Sequence, residues 1–251
     1  MKKILYAVIL LLCVSMVTST MNSCKKNTDA VENNGGSNNG GGNNGGGNGG
    51  GGNGTYNGHD YVDLGLPSGT LWATCNVGAT TPEGYGNFYS WGETTTKTSY
   101  SRDNYKYYKN GDDHLVTKYC CKAEYGFNGF TDNLNVLQSS DDAAIANWGS
   151  GWRTPTKEEW IELYENTTHG VAFQNNVKGY KFTANNGQTL FLPAAGTGSE
   201  NVIDDGEYWS CSLYNDKPYK AWAFMFLANL DDIGDCSRYH GSSVRPVRTT
   251  H

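Results

Sequence analysis

The chain has 251 residues, but an apolar leader and a tract from Asn33 to Gly54, with 13 Gly, 8 Asn and one Ser, have nothing to bury in a core. What is left has the length of one domain and is short for two. A formal net charge of −6 gives no basic footprint for nucleic acid, while 17 Tyr and 7 Trp against only 18% charged residues suggest an exported binding domain.

In chain order, Lys2-Lys3 precede an apolar run from Ile4 to Leu12 that gives out near Val17. The run is too short to span a bilayer comfortably, so residues 1–23 are expected to be a cleaved export signal. Met21-Asn22-Ser23-Cys24 resembles a loose bacterial lipobox, which makes Cys24 the expected lipidated residue and mature N-terminus. Two or three acyl chains, at about 0.8 kcal/mol per buried CH₂, hold a protein on a membrane where one does not. Residues 24–55 then read as the anchor plus a disordered Gly/Asn-rich linker, whose backbone entropy makes it a flexible tether. The expected location is the outer membrane, at the cell surface; Lys25-Lys26 leave a periplasm-facing anchor open as the alternative.

Residues 56–251 are expected to fold as one α+β domain of short, mostly antiparallel strands with two helices. Tyr61-Val62-Asp63-Leu64 and Leu71-Trp72-Ala73-Thr74 flank a turn-rich segment and predict a hairpin. Residues 141–148 start acidic and carry Ala143, Ala144 and Ile145, a first helix candidate. Thr156-Lys157-Glu158-Glu159 is a capping box, and Trp160, Leu163 and Tyr164 then fall on one helical face. Tyr180–Thr183 and Thr189–Leu192 bracket Asn185-Asn186-Gly187, another hairpin. Residues 208–212, 221–227 and 243–248 read as the last strands, with long irregular loops between 93 and 135 and between 228 and 242.

Five cysteines remain beyond Cys24: Cys75, Cys120, Cys121, Cys211 and Cys236. Cys75, in an apolar run, reads as a buried thiol, and Cys211 and Cys236 form a candidate disulfide in an oxidising compartment. No C-x₂-C pair exists and the histidines are scattered, so no metal or cofactor is expected. The acidic stretch from Asn229 to Asp235 fails the calcium-loop pattern and reads as a solvated loop.

Four blocks, in order, carry a resemblance. They are Tyr61 to Ala79 (YVDLGLPSGTLWATCNVGA), Tyr89-Ser90-Trp91-Gly92-Glu93, Gly151 to Trp160 (GWRTPTKEEW), and Tyr208-Trp209-Ser210 with Ser243-Val244-Arg245-Pro246-Val247-Arg248. Together they resemble the Fibrobacter succinogenes major paralogous domain family of exported lipoproteins, over roughly residues 58–248. The third block and the closing Val-Arg-Pro-Val also resemble the C-type-lectin-like fold of formylglycine-generating sulfatase-modifying enzymes and of retroelement-diversified variable proteins. The resemblance implies a C-type-lectin-like scaffold whose C-terminal third displays a ligand-binding face. Those enzymes use a Cys pair near the C-terminus. Cys236 lacks the companion, so no enzymatic activity is carried over.

On that face Tyr214, Asn215, Asp216, Tyr219, Trp222, Asn229, Asp231, Asp235, Tyr239 and His240 are the expected ligand-binding residues. Tyr and Trp offer stiff amphipathic contact area, and Asn and Asp adaptable hydrogen bonds. The expected function is non-catalytic recognition of an extracellular glycan or protein ligand, with the membrane reached through the lipid anchor and no nucleic-acid partner. A structural or assembly subunit of a surface appendage is the alternative.

Overall fold

The computed structural model describes residues 52–198, 204–228 and 230–249. The export signal, Cys24 and most of the Gly/Asn tract lie outside them. Among the described residues no helix is long and apolar enough to cross a membrane.

The architecture is α+β and mostly antiparallel. Strands β1 (Gly54–Tyr56), β2 (His59–Asp63) and β3 (Thr70–Ala73) form a meander, and β14 (Val247–Thr249) from the far end of the chain completes it on β3. A five-stranded sheet runs β12 (Leu230–Ser237), β11 (Lys220–Leu227), β10 (Asp205–Leu213), β13 (Ser242–Ser243) and β4 (Phe88–Tyr89). Only its β10–β13 pair is parallel. Strands β5 (Tyr108–Lys109) and β6 (Asp112–Val116) make a small hairpin. A third sheet joins β7 (Thr167–Gln174), β8 (Val177–Ala184) and β9 (Thr189–Pro193).

Both expected helices form. In α1 (Ala143–Trp148), Asp142 caps the start by accepting from the Ala144 and Ile145 amides. In α2 (Lys157–Glu165) the capping box closes in both directions between Thr156 and Glu159, satisfying two amides that a helix start leaves orphaned. Glu159 also receives both nitrogens of Arg153 at 2.6 Å and the Thr70 hydroxyl at 2.9 Å.

The sequence blocks are held together by such contacts. Arg153 and Val247 exchange backbone hydrogen bonds. The Trp91 indole donates to the Ser210 carbonyl and the Trp209 indole to the Tyr89 carbonyl, at 2.8 and 2.7 Å. Arg245 is fully buried and donates to the Ala73 and Thr74 carbonyls and to Asn76 Oδ1. These residues are therefore engaged in packing and in hydrogen bonds inside the domain, Arg245 Nη2 alone of its three nitrogens lacking a partner.

Two aromatic cores result. One gathers Trp72, Trp160, Phe182, Tyr208, Phe224 and Phe226 between α2 and the sheets. The other surrounds Arg238, whose guanidinium lies within 6 Å of the Trp91, Tyr105, Tyr107 and Tyr119 ring centres.

Two loop expectations need correction. Residues 228–242 are not an irregular loop, because β12 occupies most of that span and pairs with β11 along its whole length. Its acidic and glycine content suits an edge strand, which pairs on one side only and keeps charge on its free side against further pairing. The segment from 93 to 135 is irregular only in part, since it contains the β5–β6 hairpin and three short 3₁₀ turns.

Candidate functional site

Of the seven tryptophans six are buried, and Trp222 alone is half-exposed. It sits on β11 with its indole toward a groove of about 340 Å³ lined also by Tyr214, Asn215, Asp216, Ser212, Lys157 and Glu158. Asn135 and Val136 form the opposite rim. The Tyr214 ring meets the Trp222 ring edge-on, 4.9 Å between centres, and Lys157 Nζ lies 3.8 Å over the indole. This volume falls in the range of small-ligand sites, which combine an apolar floor with a few polar groups.

Each wall has a local cause. Val136 bridges to Ser212, and the Leu213 amide donates to the Asn135 carbonyl, so the rim is stitched to the end of β10. The Lys157 amide donates to Ser212 Oγ, which fixes the first turn of α2 beside that strand end. The turn after β10 closes on itself through Lys217 N to the Tyr214 carbonyl and Lys220 N to the Lys217 carbonyl, leaving Asn215 and Asp216 exposed at the tip.

Four of the ten expected ligand residues thus converge: Tyr214, Asn215, Asp216 and Trp222. Asn229 lies outside the described residues. The other five are engaged elsewhere. Tyr219 packs against His114 and Tyr125, and its carbonyl accepts from the Tyr108 hydroxyl. Asp231 faces Tyr164 and Tyr180: its hydrogen bond is the main cause that raises the Tyr164 hydroxyl to about 12, while at Tyr180 burial first and then the Asp231 carboxylate raise the hydroxyl above its ordinary range. Asp235 is ion-paired with Lys220. The Tyr239 ring lies under Arg102, and its carbonyl accepts from Ser90. His240 turns to Cys236. Of the nine expected residues that the structure describes, four line this groove. Lys157, Glu158, Asn135 and Val136 complete the groove from segments that sequence reading assigned to helix capping and to a loop.

No protein-family model, curated protein or solved structure matches the chain. The site stands on its geometry.

The disulfide expectation also needs correction. Cys211 and Cys236 are free thiols, as are Cys75, Cys120 and Cys121. Cys211 lies on β10 and Cys236 on β12, with β11 between them. Cys211 is pushed up to about 12 by burial and by the nearby Asp142 carboxylate. Cys236 instead lies 3.0 Å from Glu207 Oε1 and 3.2 Å from His240 Nδ1. Burial, then the Glu207 carboxylate, raise its thiol well above the ordinary value.

Proposed function

We propose that the protein is a cell-envelope lipoprotein, anchored through Cys24 and held off the outer membrane by its Gly/Asn tether, that presents a non-catalytic C-type-lectin-like domain for glycan recognition. The observation that carries the reading is Trp222, the one half-exposed tryptophan, flooring a groove rimmed by Tyr214, Asn215, Asp216 and Glu158. An aromatic floor offers a face to the C–H side of a sugar ring, and carboxylates and amides at the rim accept and donate to its hydroxyls. Lys157 rides on a flexible stem, so its ammonium can leave the indole and meet a ligand oxygen. The lectin-like reading draws support from the pairing of β14 with β3, which joins the two ends of the domain.

The test is glycan-array binding of the full chain beside Trp222→Ala and Tyr214→Ala, with Tyr239→Phe as a control outside the groove. Losing an aromatic anchor is expected to cost about 1–2 kcal/mol, a five- to thirty-fold weakening, with the control unchanged. Glycan binding that survives both alanine variants locates the ligand elsewhere. The appendage-subunit reading has its own support in Phe173, 71% exposed on the edge strand β7. Concentration-dependent self-association in sedimentation, abolished by Phe173→Ser, would favour it.

A further inference from the structure

Glu207, Cys236 and His240 come from three separate places: β10, β12 and the turn that follows β12. Their donor atoms nevertheless converge. Cys236 Sγ is 3.0 Å from Glu207 Oε1 and 3.2 Å from His240 Nδ1, and those two atoms are 4.0 Å apart. In the register Glu207 faces Met225 and Cys236 faces Ala221, so both side chains leave the same face of the sheet. On the diagonal between them stand the small residues Ala223 and Gly234, with Trp209 and Met225 flanking them on the same face. A Cβ on Gly234 would lie 2.8 Å from Asp232 Oδ2 and 2.9 Å from the Met225 methyl.

The set is chemically mixed: one thiol, one imidazole and one carboxylate. Tetrahedral zinc with ligand bonds of about 2.0–2.3 Å separates its donors by roughly 3.3–3.6 Å. The three observed separations straddle that range, so shifts of well under an ångström would close the site. A supporting contact is present, because Ser242, itself buried, hydrogen-bonds Glu207 Oε1 and orients the carboxylate. The Cys236 thiol is buried while the His240 side chain remains 22% exposed, which gives an ion a way in beside the imidazole. A second group, Asp112, Asp113 and His114, is weaker on the same criteria. It has no thiol, and Asp113 is already paired with Arg102 at 3.1 Å.

We propose that Glu207, Cys236 and His240 form a zinc site with three protein ligands and a fourth position left for water or an exogenous ligand. Thiolate and imidazole donors favour zinc over the oxygen-seeking calcium and magnesium. On binding, the Cys236 S–H bond breaks, its proton passes to solvent and the thiolate forms the metal bond. Each ion bound therefore releases one proton, and affinity rises with pH. The proposal is independent of the Trp222 groove.

The test uses the full chain, reduced and metal-free, titrated with Co²⁺ as a spectroscopic stand-in and then with Zn²⁺ as competitor. The expected result is one equivalent bound with release of one proton, a thiolate-to-cobalt charge-transfer band and visible bands of tetrahedral intensity, which Zn²⁺ then displaces without further proton release. Cys236→Ser should abolish the charge-transfer band. Because that residue is buried, His240→Gln provides a second arm on a partly exposed side chain. It should weaken Co²⁺ binding at least about tenfold, and Ser242→Ala, acting through Glu207, about tenfold. Circular dichroism confirms that each variant is folded. Absence of the band in the native protein overturns the proposal, as does a band that persists in Cys236→Ser and disappears in Cys121→Ser. Unchanged affinity in folded His240→Gln also overturns it.

Discussion

Asp141 offers the most quantitative test of how the irregular half of the domain is held in place. Its carboxylate is 4% exposed and accepts from Lys118 Nζ at 2.5 Å and from the Tyr119 hydroxyl at 2.6 Å, with Lys106 Nζ at 3.4 Å. It thereby ties the segment around residues 106–119 to the start of α1, a few residues beyond the Asn135 and Val136 rim of the groove. Burial alone would raise the carboxyl pKa. Hydrogen bonds from Lys118 and the tyrosines outweigh it and leave the group at about 2, below its ordinary 3.8. A carboxyl lowered by that amount contributes about 2 kcal/mol to stability at neutral pH. The sign follows from the depression: the contribution is complete above the unfolded value and is lost as pH falls from about 4 towards 2. Asp141→Asn removes the charge at nearly constant shape. It should lower stability at about pH 7 by about 2 kcal/mol, or roughly 4–8 °C in Tm for a domain of this size. Urea unfolding of both proteins at neutral pH and near pH 2 reads the difference. The gap should narrow on acidification, because the native carboxyl is then half protonated. A gap of equal size at both pH values would assign the cost to shape alone and refute the electrostatic account, and no gap at neutral pH would refute the tie itself.

Arg238 should tolerate no replacement. It is fully buried and donates to the Tyr105 hydroxyl and to the Pro218, Tyr119 and Lys118 carbonyls. Lysine cannot reproduce that planar fan of donors, so Arg238→Lys is expected to cost about 3–5 kcal/mol, with loss of near-ultraviolet dichroism from the surrounding rings. For the thiols, alkylation under denaturing, non-reducing conditions should modify Cys75, Cys120, Cys121, Cys211 and Cys236 alike. Recovery of a Cys211–Cys236 cross-linked peptide would contradict the free thiols.

What was legible in the sequence was whatever is encoded locally. The α2 capping box, the Asp-led start of α1 and the Asn185-Asn186-Gly187 turn each rest on neighbours in the chain, and each forms. Strand β7 was missed although its signal is local: Asn175 and Asn176 both take positive φ, as a two-residue hairpin turn requires. Strand β12 was missed for another reason. Its Asp and Gly residues resemble a loop, and only pairing with β11 makes it a strand, so its identity is tertiary. The groove divides along the same line. Tyr214 to Trp222 is a short stretch whose aromatic and amide content is visible in one dimension. Lys157 reaches Trp222, however, only because its amide is tied to Ser212 on β10. The Glu207–Cys236–His240 cluster lies furthest from sequence reading. Cys236 and His240 are four residues apart and meet locally, but Glu207 is far away in sequence and reaches them only because the register puts it on the same sheet face as Cys236. The same reasoning explains why scattered histidines and unpaired cysteines are weak grounds for dismissing a metal site. Ligand spacing along the chain is informative when one loop supplies the donors; when strands supply them, the informative quantity is register, and that appears only with the fold.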